Sequence, residues 1–182
     1  IKPPVTDAKR PETGTQKHPL PWWGHASFVS FFIFWLLAWT RMDWFAPFQA
    51  HTFFPLWLSL ILSINALVFQ RKGTCPLTAS PQKFAWLFVV SALFWWTFEY
   101  LNRFVGNWYY SGSRYSAGIY FMLATLSFST VLPAVESMKA YLLTFERFER
   151  GFKGMKAIKG IRSRPLAMLL FLVSSVCLIL VA

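Results

Sequence analysis

Glu99, Asn102 and Arg103 are the residues of this chain best placed to do chemistry, because they follow directly on the apolar run 84–98. The carboxylate and guanidinium are four residues apart and the amide three from the carboxylate, which puts all three on one face of a helix. Glu before Arg is the favourable order for an intrahelical ion pair. Ionisable groups at such depth are costly in hydrocarbon and mark ion paths, proton relays or ligand sites. Asn107 and Trp108 follow within one turn and complete a polar cluster with two readings. In one, Glu99 and Arg103 neutralise each other and, with Asn102 and Asn107, tie the helix end to the loop 106–117, anchoring Trp108, Tyr109 and Tyr110 at the interface. In the other, the cluster lines an outward pocket for a polar headgroup, a quinone or a carotenoid end ring, or performs proton chemistry.

Two further places carry functional groups. Thr125, Ser127, Ser129, Thr130, Pro133, Glu136 and Ser137 fall in one later apolar stretch. Pro133 lacks a donor, so a kink is expected there, with the carbonyl of Ser129 freed for nearby hydroxyls. Ser129, Thr130 and Glu136 make this a second polar site, although Glu136 close to Lys139 also reads as a surface pair. Asn65 is either a stepping stone for protons or packing glue. Imidazoles ligate haem and (bacterio)chlorophyll. His25 and His51 could each hold one pigment, but they open spans on opposite sides and cannot ligate one macrocycle together. No metal site is expected.

The elements that must position these groups follow from composition. The 182 residues are 55% hydrophobic and 20% aromatic, which places the chain in the membrane class. Five continuously apolar segments, about 22–40, 51–69, 84–105, 118–143 and 165–182, approach the roughly 20 residues a helix needs to cross a bilayer. Without period-two alternation they predict helices and not barrel strands. The expected fold is all-α: a polytopic bundle of about five transmembrane helices over 21–182, preceded by a flexible tail over 1–20. The polar first 20 residues do not read as a signal peptide. A start at Ile1 and a stop within an apolar run at Ala182 point to processing or to a longer protein.

The net charge of +11 is unevenly distributed. Fifteen of the eighteen Lys and Arg residues lie in the tail, the second connection and the stretch after the fourth span; Arg41 and Arg114 occupy the other connections, and Arg103 a helix end. The positive-inside rule then predicts a cytoplasmic N-terminus, in a bacterial inner membrane, and disfavours nucleic acid as the partner of these charges. Over 144–162, Phe145, Phe148, Phe152, Met155, Ile158 and Ile161 recur every three or four residues among basic ones. That pattern predicts a basic amphipathic helix lying on anionic lipid or against a partner subunit. Cys75 and Cys177 fall near opposite faces, which argues against a disulfide.

No phosphate-cradling glycine loop, His-Glu-x-x-His signature, Gly-x-Ser-x-Gly elbow or catalytic carboxylate pair is present, which disfavours hydrolases and ATP-driven pumps. No internal repeat supports an inverted-repeat transporter. The order Glu99, then Gly106-Asn107-Trp108-Tyr109-Tyr110, then Pro133-Ala134-Val135-Glu136 is similar to that in membrane-bound carotenoid cyclases, with Ser137 where a second acidic residue would stand. The resemblance spans about 40 residues and implies an isoprenoid substrate. Three functions are therefore expected, in this order: an accessory subunit of an energy-transducing or photosynthetic membrane complex, its aromatic helices touching other subunits, lipid or pigment; a membrane enzyme acting on an isoprenoid, carotenoid or other lipid through Glu99, Asn102 and Arg103; and a small transporter gated by Glu99 and Arg103.

Overall fold

In the computed structural model, residues 18–110 and 115–153 are described, together with Pro165, Leu166, 168–170, Leu172, Val173 and Val176. Most of the described residues are helical and none forms a strand, and four helices are long and apolar enough to cross a membrane: Trp22–Trp39, Phe53–Lys72, Pro81–Val105 and Ala117–Leu142. The chain is an integral membrane protein by that criterion. The first four predicted spans correspond to these helices within about three residues. Of the fifth, only the scattered residues between 165 and 176 are described, and they are helical; the predicted surface helix is described over 144–153 alone, and its remainder, residues 1–17 of the predicted tail and Arg114 lie outside the described residues.

Prolines and glycines set the ends. Pro21 stands at the N-cap of α1 (Trp22–Trp39), where a missing N–H costs nothing. A 3₁₀ segment, Asp43–His51, follows. Gln49 donates Nε2–H to the Ala38 carbonyl at 2.8 Å, satisfying an open carbonyl at the end of α1. α2 (Phe53–Lys72) ends at Gly73, whose φ of +72° is the left-handed cap that glycine adopts without strain. The short α3 (Pro76–Ala79) is closed by Thr78, whose hydroxyl accepts the Cys75 N–H at 3.0 Å. α4 (Pro81–Val105) begins on a proline and ends at Gly106, φ +62°.

The fourth span is two helices, α5 (Ala117–Ser129) and α6 (Val131–Leu142), separated at Thr130. In a continuous helix the Leu132 N–H would bond the Phe128 carbonyl. Here Ser91 of α4 stands between them: its hydroxyl donates to the Phe128 carbonyl at 2.6 Å and accepts the Leu132 N–H at 3.0 Å. Pro133, fully buried one residue on, supplies no N–H. A side chain from a neighbouring helix thus replaces a ladder bond. α7 (Glu146–Lys153) leaves the C-terminal end of α6 after a turn.

α2 is the central helix. α1 packs mainly on α2, α2 also on α6, and α4 on α5 and α6. Ile61, Phe84 and Ala134 form the core where α2, α4 and α6 meet, surrounded by Trp57, Leu77, Leu87 and Phe88. Small residues bring α1 and α2 close: a Cβ on Gly24 would lie 2.7 Å from that of Ala66, and Ser63 donates to Ser27 at 3.2 Å. Close backbone approach through small residues is the usual basis of helix association in lipid. Asn65, with no exposed surface, reaches Ser137 of α6 at 2.7 Å, the Ile61 carbonyl at 2.9 Å and the Leu77 N–H at 3.2 Å. It joins α2, α3 and α6, so within this fold it acts as glue.

His18, Arg71 and Lys72 meet at one end of the bundle. The His18 N–H donates to the Gln70 carbonyl at 2.8 Å, and its ring covers Gly73, where any Cβ would lie 2.6 Å from it. Lys72 bonds the Leu143 carbonyl at 3.0 Å, and the Arg71 guanidinium lies 4.1 Å from the centre of the Phe145 ring. These contacts hold the N-terminal approach, the end of α2 and the α6–α7 turn together.

Candidate functional site

The α4–α5 end opposite these basic contacts carries the Glu99 cluster. Lys83 and Arg103 are twenty residues apart on α4, about 30 Å of helix rise, which matches the hydrocarbon thickness. Placed so, Glu99 lies about 6 Å inside the boundary, deep enough to need partners and shallow enough to meet headgroups.

Those partners are aromatic. Glu99 Oε2 accepts the Trp108 indole N–H and the Tyr110 hydroxyl, each at 3.2 Å, and Oε1 accepts the Tyr120 hydroxyl at 3.5 Å. The loop comes back over the carboxylate for a local reason. Gly106 turns the chain in the left-handed region, and the Asn102 amide then closes a ring with Trp108: its Nδ2 donates to the Trp108 carbonyl at 2.7 Å and its Oδ1 accepts the Trp108 N–H at 3.2 Å. Tyr120 arrives from the first turn of α5. One turn deeper, Trp96 donates to Thr125 at 2.9 Å and stacks on Phe121, with ring centres 5.0 Å apart.

The expected Glu99–Arg103 ion pair is not formed. Among the described residues the ion pairs are Lys139–Glu136 and Arg150–Glu146. Arg103 is exposed, and a guanidinium near the interface gains more from water and headgroups than from folding back on its own helix. Glu99 has three neutral donors instead, which between them engage both of its carboxyl oxygens. Tyr110 feels the arrangement: partial burial, the charge of Glu99 and its bond to that carboxylate push its pKa up to about 12. Asn107 is exposed and takes no part in these bonds.

The remaining predicted residues are dispersed. Ser129 and Thr130 bond carbonyls of their own helix, Leu126 at 2.7 Å and Ser127 at 2.7 Å. Glu136 pairs with Lys139 and lies sixteen residues past Tyr120, about 24 Å along the span from the Glu99 cluster. The three elements that resemble a carotenoid cyclase are therefore not assembled: Glu99 and Trp108 meet, and Glu136 is remote. His25 is exposed at the start of α1, and His51 is exposed with its ring 6.3 Å from that of Tyr115. No group of three metal-binding side chains occurs among the described residues.

Two residues that matter most to this geometry carried weak signals. Tyr120 follows Gly118 and Ile119 as one aromatic in an apolar run, and Ser91 is a lone hydroxyl between Val90 and Ala92. Comparison of the chain with protein-family models, curated proteins and solved structures finds no match.

Proposed function

We propose that the chain is an accessory subunit of a larger integral membrane assembly, with a fifth span over 165–182, a basic surface helix over 144–162 against anionic lipid, and the N-terminus on the cytoplasmic side of a bacterial inner membrane. The observation that carries the subunit reading is the state of α1. It rests mainly on α2, and beside that contact runs a groove of about 300 Å3 lined by Trp23, Ala26, Ser30, Phe34, Leu58 and Leu62 among others. Phe32, Trp35 and Trp39 are bare on the same helix. Small side chains at the groove floor admit a neighbouring helix closely, and flanking aromatics supply contact area for it.

Native mass spectrometry after mild solubilisation tests this. A stoichiometric membrane partner is expected, and Ala26→Trp, which fills the groove, should release it while the chain stays folded. A lone, monodisperse chain would refute the reading.

One observation favours a second reading, a lipid-modifying enzyme: the Glu99 carboxylate is fixed among hydrogen-bond donors with an unpaired Arg103 nearby. Glu99→Gln separates the two. Intact assembly with lost turnover supports the enzyme; lost assembly supports the subunit. The transporter reading loses the Glu99–Arg103 contact that motivated it.

A further inference from the structure

Arg103 stands one turn outward of Glu99 on α4, exposed and, among the described residues, without an ion-pair or hydrogen-bond partner. Its charge reaches Tyr120, which also bonds Glu99. A cation and an anion therefore flank one aromatic-lined patch at the edge of the hydrocarbon. Glu99 retains acceptor capacity, since its Oε1 has a single long bond, at 3.5 Å. The donors of Trp108, Tyr110 and Tyr120 lie in their ring planes, so bonding the carboxylate edge-on leaves the π faces available to a cation.

We propose that Glu99, Arg103, Trp108, Tyr110 and Tyr120 form a binding site for the headgroup of a phosphatidylethanolamine-type lipid, with the ammonium on Glu99 and the aromatic faces and the phosphate on Arg103. The headgroup class follows from the charges. A purely cationic ligand meets Arg103, and a purely anionic one meets Glu99; a zwitterion satisfies both. An ammonium separated from phosphate by two carbons spans roughly 5 Å, about one helical turn, the axial offset between positions 99 and 103. A guanidinium is the side chain best shaped for phosphate oxygens. The site needs no partner subunit, so it stands or falls apart from the subunit reading.

The test titrates the full chain, purified in detergent, with phosphatidylethanolamine or phosphatidylglycerol of identical acyl chains and reads bound lipid by native mass spectrometry. The wild type should hold phosphatidylethanolamine about tenfold more tightly, the scale of a partly desolvated cation–π and charge contact. Glu99→Gln should bring the two lipids level. Arg103→Gln, a change at an exposed unpaired position that leaves the carboxylate cage in place, should weaken both lipids and preserve their ratio. Equal retention by the wild type, a preference that survives Glu99→Gln, or an Arg103→Gln variant that binds as the wild type does would each overturn the proposal.

Discussion

Removing the Ser91 hydroxyl is the sharpest perturbation this fold offers. Ser91→Ala deletes two hydrogen bonds and strands two backbone groups, the Phe128 carbonyl and the Leu132 N–H. Ser91 is 1% exposed, so water does not substitute. Cross-helix bonds in membrane proteins average about 0.6 kcal/mol each, while a buried polar group left without a partner costs about 1–3 kcal/mol. Two bonds at the lower scale and partial loss at the upper bracket the effect at about 1–3 kcal/mol. Some recovery is open to the chain, because α5 and α6 can approach until the Leu132 N–H meets the Phe128 carbonyl directly; Pro133 limits that by leaving the Ser129 carbonyl without its ladder donor. Reversible unfolding of the full chain in mixed micelles, followed by far-ultraviolet circular dichroism, measures the loss. In a Pro133→Ala background the ladder can close fully, and Ser91→Ala should then cost less than about 1 kcal/mol. A cost below about 0.5 kcal/mol in the wild-type background, or an equal cost in both backgrounds, would refute the bridge as a stabilising element.

Asn65→Leu should lower stability by about 2 kcal/mol in the same assay, because the Leu77 N–H loses its acceptor and Ser137 its donor. Gly24→Ala should cost about 1–3 kcal/mol by forcing α1 off Ala66, and a double-cysteine crosslink between α1 and α2 should form more slowly in that variant. Tyr110 should ionise near pH 12 instead of 10, read as the tyrosinate absorbance difference between wild type and Tyr110→Phe. Since its folded pKa is raised, its stabilising contribution is complete below pH 10 and vanishes as pH climbs through about 12, and a difference spectrum titrating at 10 would remove the Glu99 bond from the account.

What the sequence made legible follows from how each signal arises. Spans are announced by continuous apolar runs, but hydropathy stops at 69 and begins again at 84, whereas the helices extend to the left-handed cap at Gly73 and start at Pro81, because backbone preference and not apolarity sets those ends. The break in the fourth span was foreshadowed by Pro133 but falls at Thr130, because a missing N–H at 133 and a hydroxyl inserted at 128–132 act on the preceding turn. Nothing in the α5–α6 sequence names the donor of that hydroxyl, which comes from about forty residues upstream. Helical spacing offered Arg103 as the partner of Glu99, yet spacing shows only who can be near. A loop turned by Gly106 and closed by Asn102 brings Trp108 and Tyr110 nearer still. The pair Asn102 and Gly106 followed by Trp108 was the readable sign of that loop.

These contacts share a logic that bears on how such a chain specifies its packing. In lipid an apolar side chain gains little by choosing a neighbouring helix over an acyl tail, so the many aromatics of this protein cannot by themselves fix which helix lies beside which. The polar side chains can. Ser27 with Ser63 joins α1 to α2, Asn65 with Ser137 joins α2 to α6, Ser91 holds α4 against the α5–α6 break, Trp96 with Thr125 and Glu99 with Tyr120 hold α4 along α5. Each is a bond whose alternative is an unsatisfied group in hydrocarbon, so each penalises a slipped register. The order of the helices is thereby set from within, and Trp35, Trp39, Trp86 and Phe94 remain on the outside, where a lipid or a partner helix can be accommodated without disturbing the bundle.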